Sequence, residues 1–473
     1  MSKTLSSQAS TAALALLALA GCAPLAGPPP RPDAGLPARY EAQPADADPA
    51  AAPAWREYFR DAALQALIED ALAHNRDRRQ ALARLDEARA LAGLQAAQRW
   101  PQIGAQLDAQ RARVPADLNL ARRPLLGDQF QFGLGLASWE LDLWGRLASL
   151  DEAAREAALS SEAGSRALTL ALITQVAQGW YALGELDERL RLARRTLDSR
   201  NESLRIFTRR VEVGATSRLA LTQVQVLQTQ AQALVAQLEQ ARDAQRHALA
   251  LLVGRPPGDL APALEALPPL KAGLPSALLN QRPDLIAAEH QLRAAQANVA
   301  AARAAYFPRL SLTAAFGSAS AELSGLFDGG SQAWSLAPSV ALPLLDGGRR
   351  SQNLAVQQAR QAQALAGYER AVQQAFREVS DALSARQWLA EQQRIAARSL
   401  EAQAERARLA QRRYEQGAAA FLEVLDAQRD LMAAEQLLVQ ARRALLASQV
   451  SLYAALGGAA ATEPLSETEA RTR

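Results

Sequence analysis

The sequence predicts a mixed fold in which four membrane-type β-strands are combined with long coiled-coil α-helices. Three observations lead to this prediction. The chain is internally duplicated, four short segments alternate between apolar and polar residues, and two long helical segments contain no proline. Each half of the chain is therefore expected to contain one strand pair and one pair of long helices.

The internal duplication is visible in two motifs that lie about 203 residues apart. Residues 209–214 read Arg-Arg-Val-Glu-Val-Gly, and residues 412–417 read Arg-Arg-Tyr-Glu-Gln-Gly. The same offset superposes Gly145 on Gly348. A repeat of this kind indicates a duplicated structural unit, so one structural interpretation must account for both halves.

Four segments show the period-two alternation that is typical of transmembrane β-strands. They begin at Gln102, Gln129, Arg309 and Trp334, and their second face carries small or polar residues. Pro338 falls inside the fourth segment, where its missing N–H predicts a bulge or weak pairing. The apolar positions are Ile103, Ala105, Leu107, Ala109; Phe130, Phe132, Leu134, Leu136; Leu310, Leu312, Ala314, Phe316; and Trp334, Leu336, Val340, Leu342.

Four tryptophans lie near the ends of these segments, where the interfacial aromatic residues of membrane proteins occur. They are Trp100, Trp139, Trp144 and Trp334. The alternative is an ordinary soluble sheet with one solvated face. Two duplicated hairpins together with the N-terminal signal described below favour the membrane interpretation.

The rest of the chain has the pattern of long helices. A helical pattern runs from about Asp61 to Gln98, and proline-free helices are predicted over about 145–213 and 348–416. Apolar residues recur every seven positions in both repeats, which predicts coiled-coil packing. A helix of this length would span about 100 Å. Gly214 and Gly417 are predicted to mark the tips of two helical hairpins, because glycine permits the reversal.

The strand count has a consequence for assembly. Four strands cannot close a barrel, and an open sheet edge in lipid leaves backbone groups unpaired at a cost of several kcal/mol each. The smallest closed membrane barrels have about eight strands. The chain must therefore oligomerise if its strands lie in a membrane, and the sequence pattern alone does not choose the number of copies.

The N-terminus has the features of a bacterial lipoprotein signal. Lys3 precedes a short apolar run that ends in Leu19-Ala20-Gly21-Cys22, which resembles a lipobox with lipid attached to Cys22. The run is too short to span a bilayer as a helix. The alternative is a plain secretory signal with an incidental cysteine. The resemblance to lipoproteins implies the outer membrane, because Ala23 and not Asp follows Cys22, and acyl chains on that cysteine would give stable anchoring.

Composition excludes several classes of function. Cys22 is the sole cysteine, so a disulfide within the chain and a paired-cysteine metal or redox site are excluded. The three histidines are scattered, and the basic residues alternate with acids along helices, which is not a nucleic-acid footprint. The sequence contains none of the common nucleotide-binding, esterase or metalloprotease motifs. We therefore expect no enzyme activity, no cofactor, no metal and no nucleic-acid partner.

Several motifs then point to one family. They are residues 273–285 (GLPSALLNQRPDL), 141–146 (LDLWGR), 342–348 (LPLLDGG), and the tip segments 413–417 (RYEQG) and 425–429 (LDAQR). Together they resemble the outer membrane factors of the TolC type, specifically the NodT-like efflux lipoproteins. The resemblance covers the chain from about Cys22 to Gly458.

The resemblance implies a homotrimer with a twelve-stranded barrel in the outer membrane and a helical tunnel in the periplasm. Such a trimer is the exit duct of a tripartite pump and passively conducts drugs or other small molecules. Its implied partners are a periplasmic membrane-fusion adaptor, an inner-membrane transporter of the RND type and outer-membrane lipid. Two alternatives remain: a duct for protein or polysaccharide secretion, and a periplasmic coiled-coil scaffold lipoprotein.

The resemblance also assigns residues at the tunnel entrance. In the family, an aspartate and a leucine one turn earlier form constricting rings, and the matching positions here are Asp426 and Leu422. The spacing puts both on one helix face. The alternative is that Leu422 belongs to the coiled-coil core and Asp426 is a solvated surface acid. In the other tip Leu219 aligns with Leu422, but Gln223 replaces the acid.

The small residues at the two tips are candidates for adaptor contact, although any tight turn needs residues of this kind. They are Val213, Gly214, Ala215, Thr216 and Ser217 in the first tip, and Gly417, Ala418 and Ala419 in the second.

These elements divide the chain into consecutive parts. The expected parts are a signal peptide (1–21), a lipid-anchored linker (22–54), a first repeat (55–253, with a β-hairpin at 101–143 and a tip near 214), a connector (254–281), a second repeat (282–457, with a β-hairpin at 308–345 and a tip near 417) and a C-terminal tail (458–473).

Overall fold

The computed structural model describes residues 53–118, 120, 122–270 and 278–458. The expected signal peptide and Cys22 lie outside the described residues, as does the linker up to residue 52. Residues 271–277 of the connector and the tail from residue 459 onward also lie outside them.

The described residues form two compact units. The first contains Leu85–Ser161 and Ala288–Tyr368 and includes the β-sheet. The second contains the described parts of 53–84, Glu162–Ala287 and 369–458, which are largely helical.

The elements follow one another in two similar series. The helices are α1 (Trp55–Tyr58), α2 (Ala62–His74), α3 (Arg76–Ala97), α4 (Arg146–Glu212), α5 (Arg218–Val253), α6 (Leu278–Gln281), α7 (Pro283–Ala304), α8 (Arg349–Glu415) and α9 (Phe421–Ala455). The strands are β1 (Ile103–Val114), β2 (Leu125–Leu141), β3 (Arg309–Ser320) and β4 (Gln332–Ala341).

The two long predicted helices are confirmed, and so is the duplication. Helices α4 and α8 each contain 67 residues. Their burial also repeats, since Val176 in α4 and Val379 at the matching position of α8 are both fully buried. None of the helices in the described ranges is both long and apolar enough to cross a membrane.

The helical pattern from Asp61 to Gln98 is interrupted at Asn75, where the sequence predicts a continuous helix. Asn75 has an extended backbone, with φ −59° and ψ 133°, and ends α2. Its Oδ1 accepts a hydrogen bond from the N–H of Arg78, which caps α3, and its Nδ2 donates to the carbonyl of Leu252. The break therefore depends on a side chain that caps one helix and contacts another far along the chain.

The strands form one antiparallel sheet in the order β1-β2-β3-β4. Its register aligns the apolar residues of all four strands on one face, as the alternation predicts. At one level of the sheet the aligned residues are Ile103, Leu136, Ala314 and Leu336, and at the next level they are Ala105, Leu134, Phe316 and Trp334.

The prediction of a bulge at Pro338 is wrong. The pairing of β3 with β4 continues without a shift through Leu312 and Pro338, and the irregularity lies between Leu136 and Trp139 of β2. Ser138 in that bulge has a left-handed φ of 45°. Within one chain β4 is an edge strand of the sheet, and edge strands are the places in a sheet where proline is tolerated.

Candidate functional site

Both helical hairpins reverse at a glycine with a left-handed backbone. Gly214 has φ 74° and Gly417 has φ 72°. One residue later, the N–H of Ala215 donates to the carbonyl of Arg210, and the N–H of Ala418 donates to that of Arg413. These bonds satisfy carbonyls at the ends of α4 and α8, as in a Schellman motif.

The two tips pack against each other within the second unit. The Phe207 and Phe421 rings lie 4.4 Å apart between centroids, and Phe421 also contacts Tyr414 at 5.0 Å. Arg210 Nη1 donates to the Tyr414 hydroxyl at 2.5 Å. Leu425 is buried in the same apolar cluster as Phe207. The ends of the two repeats thus form one packed surface in each chain.

Leu422 and Asp426 lie on one exposed face of α9. Leu422 is 46% exposed, and the side chain of Asp426 is 42% exposed. The buried positions next to Leu422 in this helix are instead Val424 and Leu425, which are 0% and 1% exposed. Within one chain, Leu422 is therefore not a coiled-coil core residue, and both side chains are available to face other copies.

Asp426 belongs to a line of alternating charges that the sequence reasoning missed. Arg429 lies 3.2 Å from Asp426 and 3.2 Å from Asp430, and Asp430 pairs with Arg406 of α8 at 2.5 Å. The hydrogen bond from Arg406 holds the pKa of Asp430 below its usual value. The spacing of Asp426 and Arg429 along a helix could have indicated the first pair.

The second tip is held differently from the first. The Ser217 hydroxyl caps α5 by accepting from the N–H of Ala220, whereas Ala420 offers no side-chain cap to α9. Arg413 Nη1 instead donates to Glu423 in the first turn of α9 at 2.7 Å. Leu219, which aligns with Leu422, is also exposed.

The tryptophans near the strand ends fall into two groups. Trp100 and Trp334 are largely exposed. Trp139 Nε1 donates to the carbonyl of Arg99, and Trp144 Nε1 donates to the carbonyl of Pro308 at 2.7 Å. The interfacial role of all four tryptophans remains a prediction. The hydrogen bonds of Trp139 and Trp144 also connect the end of β2 to the segments that precede β1 and β3 in the same chain.

The Arg-Pro-Asp motif of the connector forms a buried ionic cluster within the second unit. Arg282 is 7% exposed, and its Nη2 lies 2.7 Å from both Asp284 and Glu378 of α8. Its Nη1 donates to the carbonyl of Ala455 at 2.9 Å. Arg282 thereby joins the connector to α8 and to the end of α9. Burial lowers the pKa of Arg282, but its hydrogen bonds and charge interactions with Asp284 and Glu378 outweigh burial and hold the pKa above its usual value.

Comparison with known proteins decides the family. The family model described as outer membrane efflux protein matches residues 67–255 and 274–458. The chain belongs to the outer membrane efflux protein family. The two matched segments correspond to the two repeats.

The relatives are similar over most of their length. The chain is 40% identical to outer membrane protein OprJ of Pseudomonas aeruginosa over 418 residues, covering 85% of this chain and 86% of that protein. It is 39% identical to the toluene efflux pump outer membrane protein TtgC of Pseudomonas putida, covering 97% and 96%. The open-state crystal structure of the MtrE outer membrane channel of Neisseria gonorrhoeae superposes with a TM-score of 0.84 at 33% identity, covering 92% and 98%.

These findings confirm the predicted fold class. This outer membrane efflux protein is a protomer of a trimeric outer-membrane channel, in which four strands per chain build a twelve-stranded barrel and long helices form a tunnel. It acts as an efflux duct in the outer membrane and extends into the periplasm. Family membership disfavours a periplasmic scaffold.

Proposed function

We propose that the trimer is the exit duct of a tripartite pump and passively conducts small, largely apolar molecules such as drugs or solvents. The observation that carries this proposal is the match of both repeats to the efflux family. A relative named for toluene efflux, 39% identical over nearly the whole chain, supports the substrate class. Other relatives named for solvent efflux and antibiotic efflux favour this interpretation over protein or polysaccharide secretion.

A deletion strain tests the proposed substrate class. Cells without the protein should become sensitive to several compounds in a panel of antibiotics, detergents, dyes and solvents, and the cloned gene should restore resistance. Unchanged sensitivity together with loss of a secreted protein or polysaccharide would support the secretion alternative instead.

We infer that a periplasmic adaptor and an inner-membrane transporter of the RND type complete the pump. The two tips are the surface that we assign to the adaptor, since their small residues are mostly exposed and leave room for another helical hairpin. We also propose that acyl chains on Cys22 attach each chain to lipid of the outer membrane.

Gly417 provides a test of the adaptor surface. A β-carbon at Gly417 would meet no atom within 4 Å, so a tryptophan there projects outward without a clash inside the chain. We expect Gly417→Trp to abolish export while trimers remain intact. The left-handed φ adds strain of about 1–2 kcal/mol for most residues, so Gly417→Asn, which tolerates this conformation, is the control. Trimers of Gly417→Trp that export at the wild-type rate would remove the proposal.

We propose that Leu422 and Asp426 form the periplasmic gate. Threefold symmetry would stack a ring of three leucines on a ring of three carboxylates, and both side chains lie on an exposed face of α9. The apolar ring would exclude water and the carboxylate ring would bind cations, as in other narrow pores.

The gate predicts the behaviour of Asp426→Ala in planar bilayers. Removal of three carboxylates also frees Arg429 from its pair with Asp426, so the closed entrance should loosen and its conductance should rise severalfold. Gln223→Ala at the matching position of the first tip is the control and should leave the closed conductance unchanged. Equal closed-state conductance of Asp426→Ala and wild-type trimers would count against the gate.

A further inference from the structure

The apolar face of the sheet ends in two arginines at the hairpin-loop end of β1. Odd-numbered residues of β1 share the apolar face, and the apolar series from Ile103 to Ala109 is followed on that face by Arg111 and Arg113. The register places Asp128 opposite Arg111 and Leu126 opposite Arg113. Both arginines are exposed. The lipid-facing pattern therefore gives way to positive charge over two successive positions.

The positive charge at this end is only partly balanced by nearby acids. Arg111 Nε lies 3.2 Å from Asp128 Oδ1 in a largely exposed ion pair. Within the described part of the chain, Arg113 has no ion-pair partner. The loop from residue 115 to 124 adds two arginines and one aspartate. The first hairpin consequently carries an excess of positive charge beside its apolar face.

The arginines lie at the depth where charge is tolerated in a membrane barrel. On β2 the apolar face runs from Phe130 to Leu141, a span that fits an apolar band about 25 Å tall when the strand is tilted. Within the first unit, the opposite strand ends continue into helices, so the loop end belongs to the outer surface of the membrane. Arginine on the lipid face costs about 2–4 kcal/mol at the midplane but about 0–1 kcal/mol near the interface.

We propose that Arg111 and Arg113 bind phosphate groups of lipids in the outer leaflet of the outer membrane. This proposal goes beyond conduction and rests on the outer-membrane position of the sheet. Residues two apart on a strand lie about 6.6 Å from each other on the same face. Two guanidinium groups at that spacing reach one phosphorylated head group, and their planar forks suit bidentate bonds to phosphate.

A second copy of the chain is the competing occupant. The loop between β3 and β4 carries Glu322 and Asp328, and barrel closure brings β4 of one copy beside β1 of the next. Lipid is the better match because the arginines continue the apolar face in register, whereas the acids lie in a loop outside the strands.

Lipid titration of the purified full-length trimer, followed by native mass spectrometry, tests the site. Diphosphoryl lipid A and monophosphoryl lipid A serve as probes. Removing both arginines (Arg111→Gln with Arg113→Gln) should weaken binding of the diphosphoryl form about thirtyfold, at about 1 kcal/mol for each charge. Arg113→Gln alone, which keeps the pair of Arg111 with Asp128, should give a smaller loss. Arg309→Gln, an exposed arginine on the polar face at the other end of the sheet, should change nothing.

Three results would overturn the assignment. Equal lipid affinity of the double variant and the wild type would exclude a phosphate site at the arginines. Unchanged lipid affinity with trimers that dissociate at a lower temperature would assign the arginines to contacts between copies. Failure of the wild-type protein to insert into phospholipid vesicles would overturn the membrane barrel as well, which separates that failure from loss of the lipid site alone.

Discussion

Alanine in place of Gly317 is expected to prevent assembly of the outer-membrane trimer. Gly317 of β3 lies directly opposite Gly133 of β2. A β-carbon at Gly317 would lie 2.1 Å from the carbonyl oxygen of Phe132 and 2.5 Å from the Cα of Gly133. Both are backbone atoms, so no side chain can rotate away, and the two strands must separate.

The cost of this change is expected to be large. Overpacking in a core typically costs about 1–3 kcal/mol, and a symmetric barrel contains the change three times. The amount of heat-modifiable trimer in isolated outer membranes measures the effect. Gly135→Ala on the same face is the matched control, because its β-carbon would meet only the Gln106 side chain at 3.6 Å. Normal trimer yield for Gly317→Ala would show that the close approach of these strands is dispensable.

Arg282→Ala is expected to lower the thermal stability of the helical unit markedly. The buried guanidinium contacts Asp284, Glu378 and the carbonyl of Ala455, so its removal separates the connector from α8 and α9. Breaking a buried ion pair costs about 3–5 kcal/mol, and we expect the lower end because both carboxylates are partly solvated. The midpoint of thermal unfolding, followed by far-UV circular dichroism, should fall by several degrees.

Two variants define the origin of that loss. Arg377→Ala removes an exposed pair on α8, in which Arg377 lies 3.9 Å from Asp381, and should cost less than about 1 kcal/mol. Arg282→Lys keeps the charge but loses the planar fork, and should fall between the two alanine variants. An unfolding midpoint for Arg282→Ala equal to that of Arg377→Ala would contradict the role of the cluster.

The sequence predicts the long elements well because their determinants are local. Long proline-free stretches bounded by glycine mark α4 and α8, heptads mark α4 and α9, and period-two alternation marks all four strands. The strand ends are less visible: β1 continues to Val114 and β2 begins at Leu125, beyond the alternating segments. The alternation of apolar and polar residues marks only the part of a strand that faces lipid. At Arg111 and Arg113, which lie beyond the apolar band, polar residues take the positions that were apolar before.

Features that depend on distant residues could not be predicted. Asn75 ends a helix partly because its side chain bonds to Leu252, 177 residues away. The motif containing Arg282 is visible in the sequence, but its contacts with Glu378 and Ala455 are tertiary. At the tips, helical spacing is enough to predict that Leu422 and Asp426 share one face of α9. Their exposure could not be predicted, because it depends on which face of α9 packs against the other helices.

Single-channel recording of the purified full-length protein in planar bilayers tests the central claim most directly. A trimeric outer-membrane duct should insert and produce discrete conductance steps, with larger closed-state steps for Asp426→Ala than for the wild type. A protein that remains a monomer and produces no steps, in either form, would contradict the account.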